Sequence, residues 1–182
     1  GYMAIGIINY LARLGWSHGD QEIFNLDEMI NLFSLDNLSK SPAIFDTEKL
    51  GWVNASHIKH SNNDDLKELL KLELYKEINV DLAIELTKAK SKDLNLLKAS
   101  LGFCESEYVD ISEELKSEAR ENDGIDLIKK FSTDLDSMNE FTEETIKEHF
   151  VTFLEKNSIK MKNIASPLRI ILTGSKVSPG IY

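Results

Sequence analysis

The 182-residue chain predicts an all-α protein built from consecutive small helical units. Three observations carry that prediction. Gly and Pro are scarce, at nine and three, which argues against a turn-rich sandwich. Leu, Ile, Lys and Glu dominate, and these residues suit helices. Apolar residues recur at helical spacing, whereas no stretch alternates with the period of two that a half-buried strand requires.

The elements follow in order. Ile5, Ile8, Tyr10, Leu11 and Leu14 fall at helical spacing, and Gly15 stops that helix. Asn25-Leu26-Asp27-Glu28 has the form of a capping box and opens a short helix with Met29, Ile30 and Phe33 inward. Ser41-Pro42 is a breaker, and Asp46 caps a helix running through Lys49, Leu50 and Trp52. Asn62 or Asn63 caps the next helix, with Leu66, Leu69, Leu70 and Leu74 on its apolar face. Further helices are expected near 80–90, 91–101, 112–120, 123–136 and 142–156. Thr142-Glu143-Glu144 marks the start of the last of these, because acidic groups favour the positive end of a helix dipole. Leu168 to Leu172 is a short apolar run open to strand or helix. Its neighbours do not alternate, so helix is expected.

Two polar breaks divide the chain, Lys59-His60-Ser61-Asn62-Asn63 and the acidic Glu105–Glu114 stretch. They predict units near 1–60, 61–110 and 111–182.

The net charge of −10 is unevenly spread. Residues 111–155 carry five basic and thirteen acidic side chains, whereas residues 156–182 carry five basic and no acidic ones. Those five are Lys156, Lys160, Lys162, Arg169 and Lys176, a local patch able to hold a polyanion on an acidic protein. No apolar run approaches the ~20 residues needed to span a bilayer, and no cationic leader opens the chain. The single Cys104 excludes an internal disulfide and a Cys-based metal cluster, which fits a reducing cytoplasm. Gly1-Tyr2 reads as the interior of a longer protein.

Catalytic signals are weak. Gly15-Trp16-Ser17-His18-Gly19 lacks the strand–turn–helix setting and the Lys of a phosphate loop. Ser17, His18 and Asp20 are too close in sequence for a nucleophile relay, since such groups assemble from distant segments. His57 and His60, with Asp64 nearby, have the spacing of a metal pair, but a polar helix end shows the same spacing. No metal or catalytic residue is therefore assigned. Cys104 follows Leu101-Gly102-Phe103 and reads as a small buried hydrophobe. Trp16 and Trp52 read as core anchors rather than base-stacking platforms.

Several segments resemble the carboxy-terminal half of bacterial glutamyl-tRNA synthetases. They are Asn9-Tyr10-Leu11-Ala12-Arg13-Leu14-Gly15-Trp16-Ser17, then Ser41-Pro42-Ala43-Ile44-Phe45-Asp46 and Trp52-Val53-Asn54. Glu85-Leu86-Thr87-Lys88-Ala89-Lys90 follows, then Pro167-Leu168-Arg169, Leu172-Thr173-Gly174-Ser175 and Ser178-Pro179-Gly180. They stand in family order over nearly the whole chain. Leu38-Ser39-Lys40-Ser41 imitates the family's Lys-Met-Ser-Lys-Ser signature, but Pro42 follows and no His-Ile-Gly-His partner is present. Met3-Ala4-Ile5-Gly6 departs from the family's usual Leu-Pro-Glu-Ala, and the family continues past Tyr182 into a further helix.

The resemblance implies the anticodon-binding part of a class I, cytoplasmic, monomeric ligase that attaches glutamate to tRNA-Glu, and in some members tRNA-Gln. ATP and Mg²⁺ serve its catalytic domain, and no cofactor is expected in this part. Residues 1–60 would be the end of the stem-contact domain, and 61–110 and 111–182 two helical anticodon-binding domains. RNA contacts carried over by motif fall on Arg169, Ser178, Pro179 and Ile181, with Lys88, Lys90 and Lys92 as a second group. Arg169 offers a planar donor fork for a base edge or a phosphate. A surface arginine packing over the core would look the same, but the acid-free tail around it favours RNA. The three lysines serve equally well as an exposed helix end. The competing class is a helical protein–protein interaction domain whose acidic 111–155 face docks a basic partner.

Overall fold

The computed structural model describes residues 1–72, 78–176 and 178. Among these residues it contains ten α-helices and no strand, and Trp16 and Leu38 form an isolated antiparallel bridge. The chain divides into two compact units, Gly1–Leu101 and Gly102–Tyr182.

The first unit holds α1 (Ala4–Gly15), α2 (Leu26–Leu32), α3 (Thr47–His60), α4 (Asn63–Leu70), α5 (Val80–Lys88) and α6 (Leu94–Ser100). The caps expected from sequence are in place. Asn25 and Glu28 form a reciprocal capping box on α2, Asp46 accepts from Glu48 N and Lys49 N at α3, and Asn62 caps α4. Helix α1 packs on α3 at Gly6, where an added Cβ would come within 2.8 Å of Asn54 Oδ1 and 3.2 Å of Asn54 Cα. That approach buries Tyr10, Leu50 and Val53, with Leu14 and Ile23 against them. Trp16, Phe24 and Met29 form a neighbouring cluster. Each such side chain contributes about 1.5–3 kcal/mol when fully buried.

Burying polar groups here demands complete pairing. Asn9 is fully buried. Its Nδ2 donates to Glu22 O, and its Oδ1 accepts from Phe24 N and faces His57 Nε2 at 2.9 Å. Because Oδ1 is an acceptor, His57 must donate from Nε2. Asn54, also fully buried, accepts from Met3 N and donates to Lys92 O.

Several side chains lie where the periodicity did not put them. Ile30 and Phe33 beside α2 were expected inward but are exposed, as are Ile8 and Leu11, which share the helical spacing of α1. Leu69 is also exposed. Trp16 is core, whereas Trp52 is 54% exposed because α3 turns Leu50 and Val53 toward Tyr10 and leaves Trp52 on another side. Leu74 lies outside the described residues.

The second unit holds α7 (Glu113–Arg120), α8 (Gly124–Leu135), α9 (Glu143–Lys156) and α10 (Met161–Thr173). Phe131, Phe150, Phe153, Ile164 and Leu168 form its core, with Phe131 edge-on to Phe150 at 5.1 Å between ring centroids. Thr142 caps α9 reciprocally with Thr145. The Leu168–Leu172 run is helical, as expected. Cys104 is fully buried, and burial, aided by the negative charge of Glu105, pushes its thiol up to about 11.

Candidate nucleic-acid interface

The second unit carries the first candidate surface. Helix α10 is set deep in the unit by Ile164, Ala165, Leu168 and Ile170, all buried. Pro167, inside the helix, lies against Gly124, where an added Cβ would stand 2.6 Å from Pro167 Cγ and 2.4 Å from Ala119 O. Arg169 therefore projects from a firmly held element. It is half-buried, its backbone oxygen accepts from Thr173 Oγ1 at 2.8 Å, and its guanidinium forms no ion pair among the described residues.

Gly174 ends α10 in the left-handed region, at φ 65°. An added Cβ there would meet Val109 Cγ1 at 2.6 Å and Asp110 O at 2.8 Å. Glycine alone fits, and it turns the chain out of the helix toward Ser178, which is half-buried. Pro179 and Ile181 lie outside the described residues.

The five cations of the tail are not equivalent. Lys176 is held by Glu118, whose hydrogen bond raises its pKa. Lys156, Lys160 and Lys162 are exposed at the α9–α10 corner and form no ion pair among the described residues. Lys160 caps α10 without a side-chain cap bond, and no acidic residue occupies the first turn. Lys160 and Lys162 stand at the positive end of the α10 dipole, where an anion is favoured, whereas Lys156 lies in the last turn of α9 and complements that helix's negative end.

The second group sits on the turn between α5 and α6. Lys88 is buried, and its Nζ donates to Glu85 Oε1 at 2.6 Å, Ser61 O at 3.2 Å and Asn63 Oδ1 at 3.2 Å. That ammonium is engaged in holding α5 to the α3–α4 joint. Lys90 and Lys92 are exposed. Their turn is fixed by Ser91 Oγ donating to Thr87 O and by Asn54 Nδ2 donating to Lys92 O. Sequence spacing grouped the three lysines, and the fold separates one from the other two. The signal that could have distinguished Lys88 is Glu85, one helical turn earlier.

A groove of about 410 Å³ lies on the first unit between Tyr10, Arg13, Leu14, Ile44, Asp46 and Lys49. Both of its cations are neutralised by Glu22, with Arg13 at 2.9 Å and Lys49 at 3.1 Å. Among the described residues no group of three or more His, Cys, Asp or Glu side chains gathers as metal ligands. No helix there is long and apolar enough to cross a membrane.

Comparison with known proteins adds the following. Residues 40–182 match the family described as anticodon binding domain. Residues 1–52 match the family described as tRNA synthetases class I (E and Q), catalytic domain. The glutamate–tRNA ligase of Thermodesulfovibrio yellowstonii is 34% identical over the whole chain, which spans 42% of that protein. Glutamate–tRNA ligase 1 of Campylobacter hominis is 37% identical over the whole chain, which spans 40% of it. A crystal structure of a glutamate tRNA ligase from Elizabethkingia meningosepticum, in complex with its amino acid, superposes with a TM-score of 0.75 at 27% identity. It covers all of this chain and 37% of that one. The chain thus spans about two fifths of the relatives it matches.

Proposed function

The chain belongs to the anticodon-binding-domain family, and from that premise we propose that it is the transfer-RNA-binding part of a glutamate–tRNA ligase. The whole enzyme would join glutamate to tRNA-Glu with ATP and Mg²⁺ in the cytoplasm, as a monomer. Within this chain, 1–60 would be the end of the stem-contact domain, and 61–110 and 111–182 the two anticodon-binding domains.

The observation that carries the reading is the exposed cationic α9–α10 corner, with Arg169 further along α10, in an acid-free segment of a chain whose net charge is −10. Phosphate contacts supply affinity, and unstacked loop bases supply sequence information. Lys156, Lys160 and Lys162 suit the first task. Arg169 suits the second, together with Ser178, Pro179 and Ile181, because a guanidinium can bond a base edge through two donors at once. Lys90 and Lys92 add a second phosphate contact on the first unit, while Lys88 supports the turn that presents them.

The test is direct binding of the 182-residue chain to an unmodified tRNA-Glu transcript. With five phosphates neutralised by Lys156, Lys160, Lys162, Lys90 and Lys92, affinity should fall roughly 100-fold between about 50 and about 200 mM salt. Arg169→Ala should weaken binding by about 5- to 100-fold. If tRNA does not bind, and a basic protein instead loses affinity when Glu113, Glu114 and Glu118 are neutralised, the interaction-domain reading replaces this one.

A further inference from the structure

Lys176 is the one cation of the acid-free tail that the fold holds in an ion pair among the described residues. Its Nζ stands 2.5 Å from Glu118 Oε2. Lys116–Glu113 and Lys129–Asp126, in the same unit, each join residues three apart on one helix. Lys176–Glu118 instead ties the segment after α10 to α7. Glu118 precedes the buried Ala119, on a helix that packs against α10, so its carboxylate projects from a held backbone. Glu114 and Glu121 add to the field that keeps the ammonium charged.

The turn that Lys176 belongs to has two other restraints. An added Cβ at Gly174 would overlap Val109 Cγ1 and Asp110 O, so the turn is pressed against the segment before α7. Thr173 Oγ1, on the last residue of α10, lies 3.3 Å from Ser175 O. Glycine is permissive in both backbone angles, so a glycine cap reverses the chain without fixing the direction in which it leaves. An ion pair at Lys176 fixes that direction just before the half-buried Ser178.

We propose that Glu118 is a positioning residue for RNA binding: through Lys176 it sets the path of the chain out of α10 and so presents Ser178 to an unstacked base. The proposal rests on the RNA-binding reading given above. An exposed ion pair adds little to the stability of a whole unit. It does remove freedom from one turn, and a turn ordered beforehand has less to lose on binding. The sign of the effect is distinctive. A carboxylate near RNA repels phosphates, so long-range electrostatics alone would make neutralisation of Glu118 strengthen binding. A positioning role makes the same change weaken it.

The experiment measures binding of the 182-residue chain to an unmodified tRNA-Glu transcript across a salt series. Glu118→Gln is expected to weaken binding by about 2- to 5-fold with an unchanged salt slope. Glu118→Asp keeps the carboxylate within reach of a flexible lysine and is expected to recover most of the loss. Glu114→Gln, the same charge change on the same helix, is expected to bind equally or more tightly. Without RNA, Glu118→Gln is expected to lower the {1H}–15N NOE of the Ser175 and Lys176 amides and to leave the melting temperature unchanged. Equal or tighter binding by Glu118→Gln overturns the inference. A salt slope steeper by about 0.7 would then mean that the pair withholds Lys176 from a phosphate. Equal weakening by Glu114→Gln, an unaltered NOE or a lowered melting temperature overturns it too. No binding by the unmodified chain overturns the RNA reading and this inference with it, whereas the other outcomes leave that reading standing.

Discussion

Gly124 and Pro167 touch so closely that a methyl group has no room between them: an added Cβ would lie 2.6 Å from Pro167 Cγ and 2.4 Å from Ala119 O. One neighbour is backbone and the other a rigid ring, so neither yields cheaply. Gly124→Ala should therefore destabilise the second unit by about 1–3 kcal/mol in urea melts. Gly51 is the opposite case, a mid-helix glycine on α3 with open space where its Cβ would be. Gly51→Ala should stabilise the protein by about 0.4–1 kcal/mol.

Lys88 and its neighbours Lys90 and Lys92 should separate experimentally. Lys88→Met keeps the stem but removes the ammonium from Ser61 O, Asn63 Oδ1 and Glu85. A loss of about 1–2 kcal/mol of stability is expected. Lys90→Ala and Lys92→Ala should leave the melting temperature unchanged and reduce the salt slope of tRNA binding by about 0.7 each.

Stability should depend on pH through two groups acting in different windows. Burial, with a smaller effect of His60, holds the His57 pKa below its ordinary 6.5. The unfolded chain then binds the proton more readily than the folded one. This contribution is complete above pH 6.5 and is lost as pH falls below it, down to the folded-state value. His57→Gln should flatten that part of the stability curve, measured by urea unfolding between about pH 7.5 and about pH 5.5.

Glu22 acts lower. The Arg13 hydrogen bond, opposed by burial and helped by Lys49, lowers its pKa from 4.5. Its contribution is present above pH 4.5 and is lost as pH falls through the folded-state value. Glu22→Gln should cost about 1 kcal/mol at neutral pH and little in strong acid.

Cys104 should be chemically quiet. With a pKa of about 11, only about one thiol in a thousand is ionised at pH 8, and the sulfur is fully buried. Alkylation by iodoacetamide should be at least about 100-fold slower in the folded chain than in urea. Comparable rates would mean that the Gly102–Cys104 turn opens readily.

Local signals read well from sequence because they act locally. Asn25, Asp46, Asn62 and Thr142 cap their helices as their residue types and spacing indicate. The failures are relational. Spacing alone cannot say whether Ile30 faces a neighbour or solvent, nor which side of α3 carries Trp52. At the candidate interface, the helical setting of Arg169 was legible in the sequence. The division of the tail was not, because the Lys176–Glu118 pair joins residues 58 apart in the chain. The requirement for glycine at 124 was likewise invisible, since only the packing of α10 creates it.

The placement of the two indoles has a practical consequence. Trp16 is buried and Trp52 is open to solvent, and the chain has no other tryptophan. Intrinsic tryptophan emission is thus a probe confined to the first unit, whereas far-ultraviolet circular dichroism sums the helices of both. Coincident denaturation curves from the two signals would indicate a single cooperative transition, and displaced curves would give each unit its own midpoint without labels or truncation.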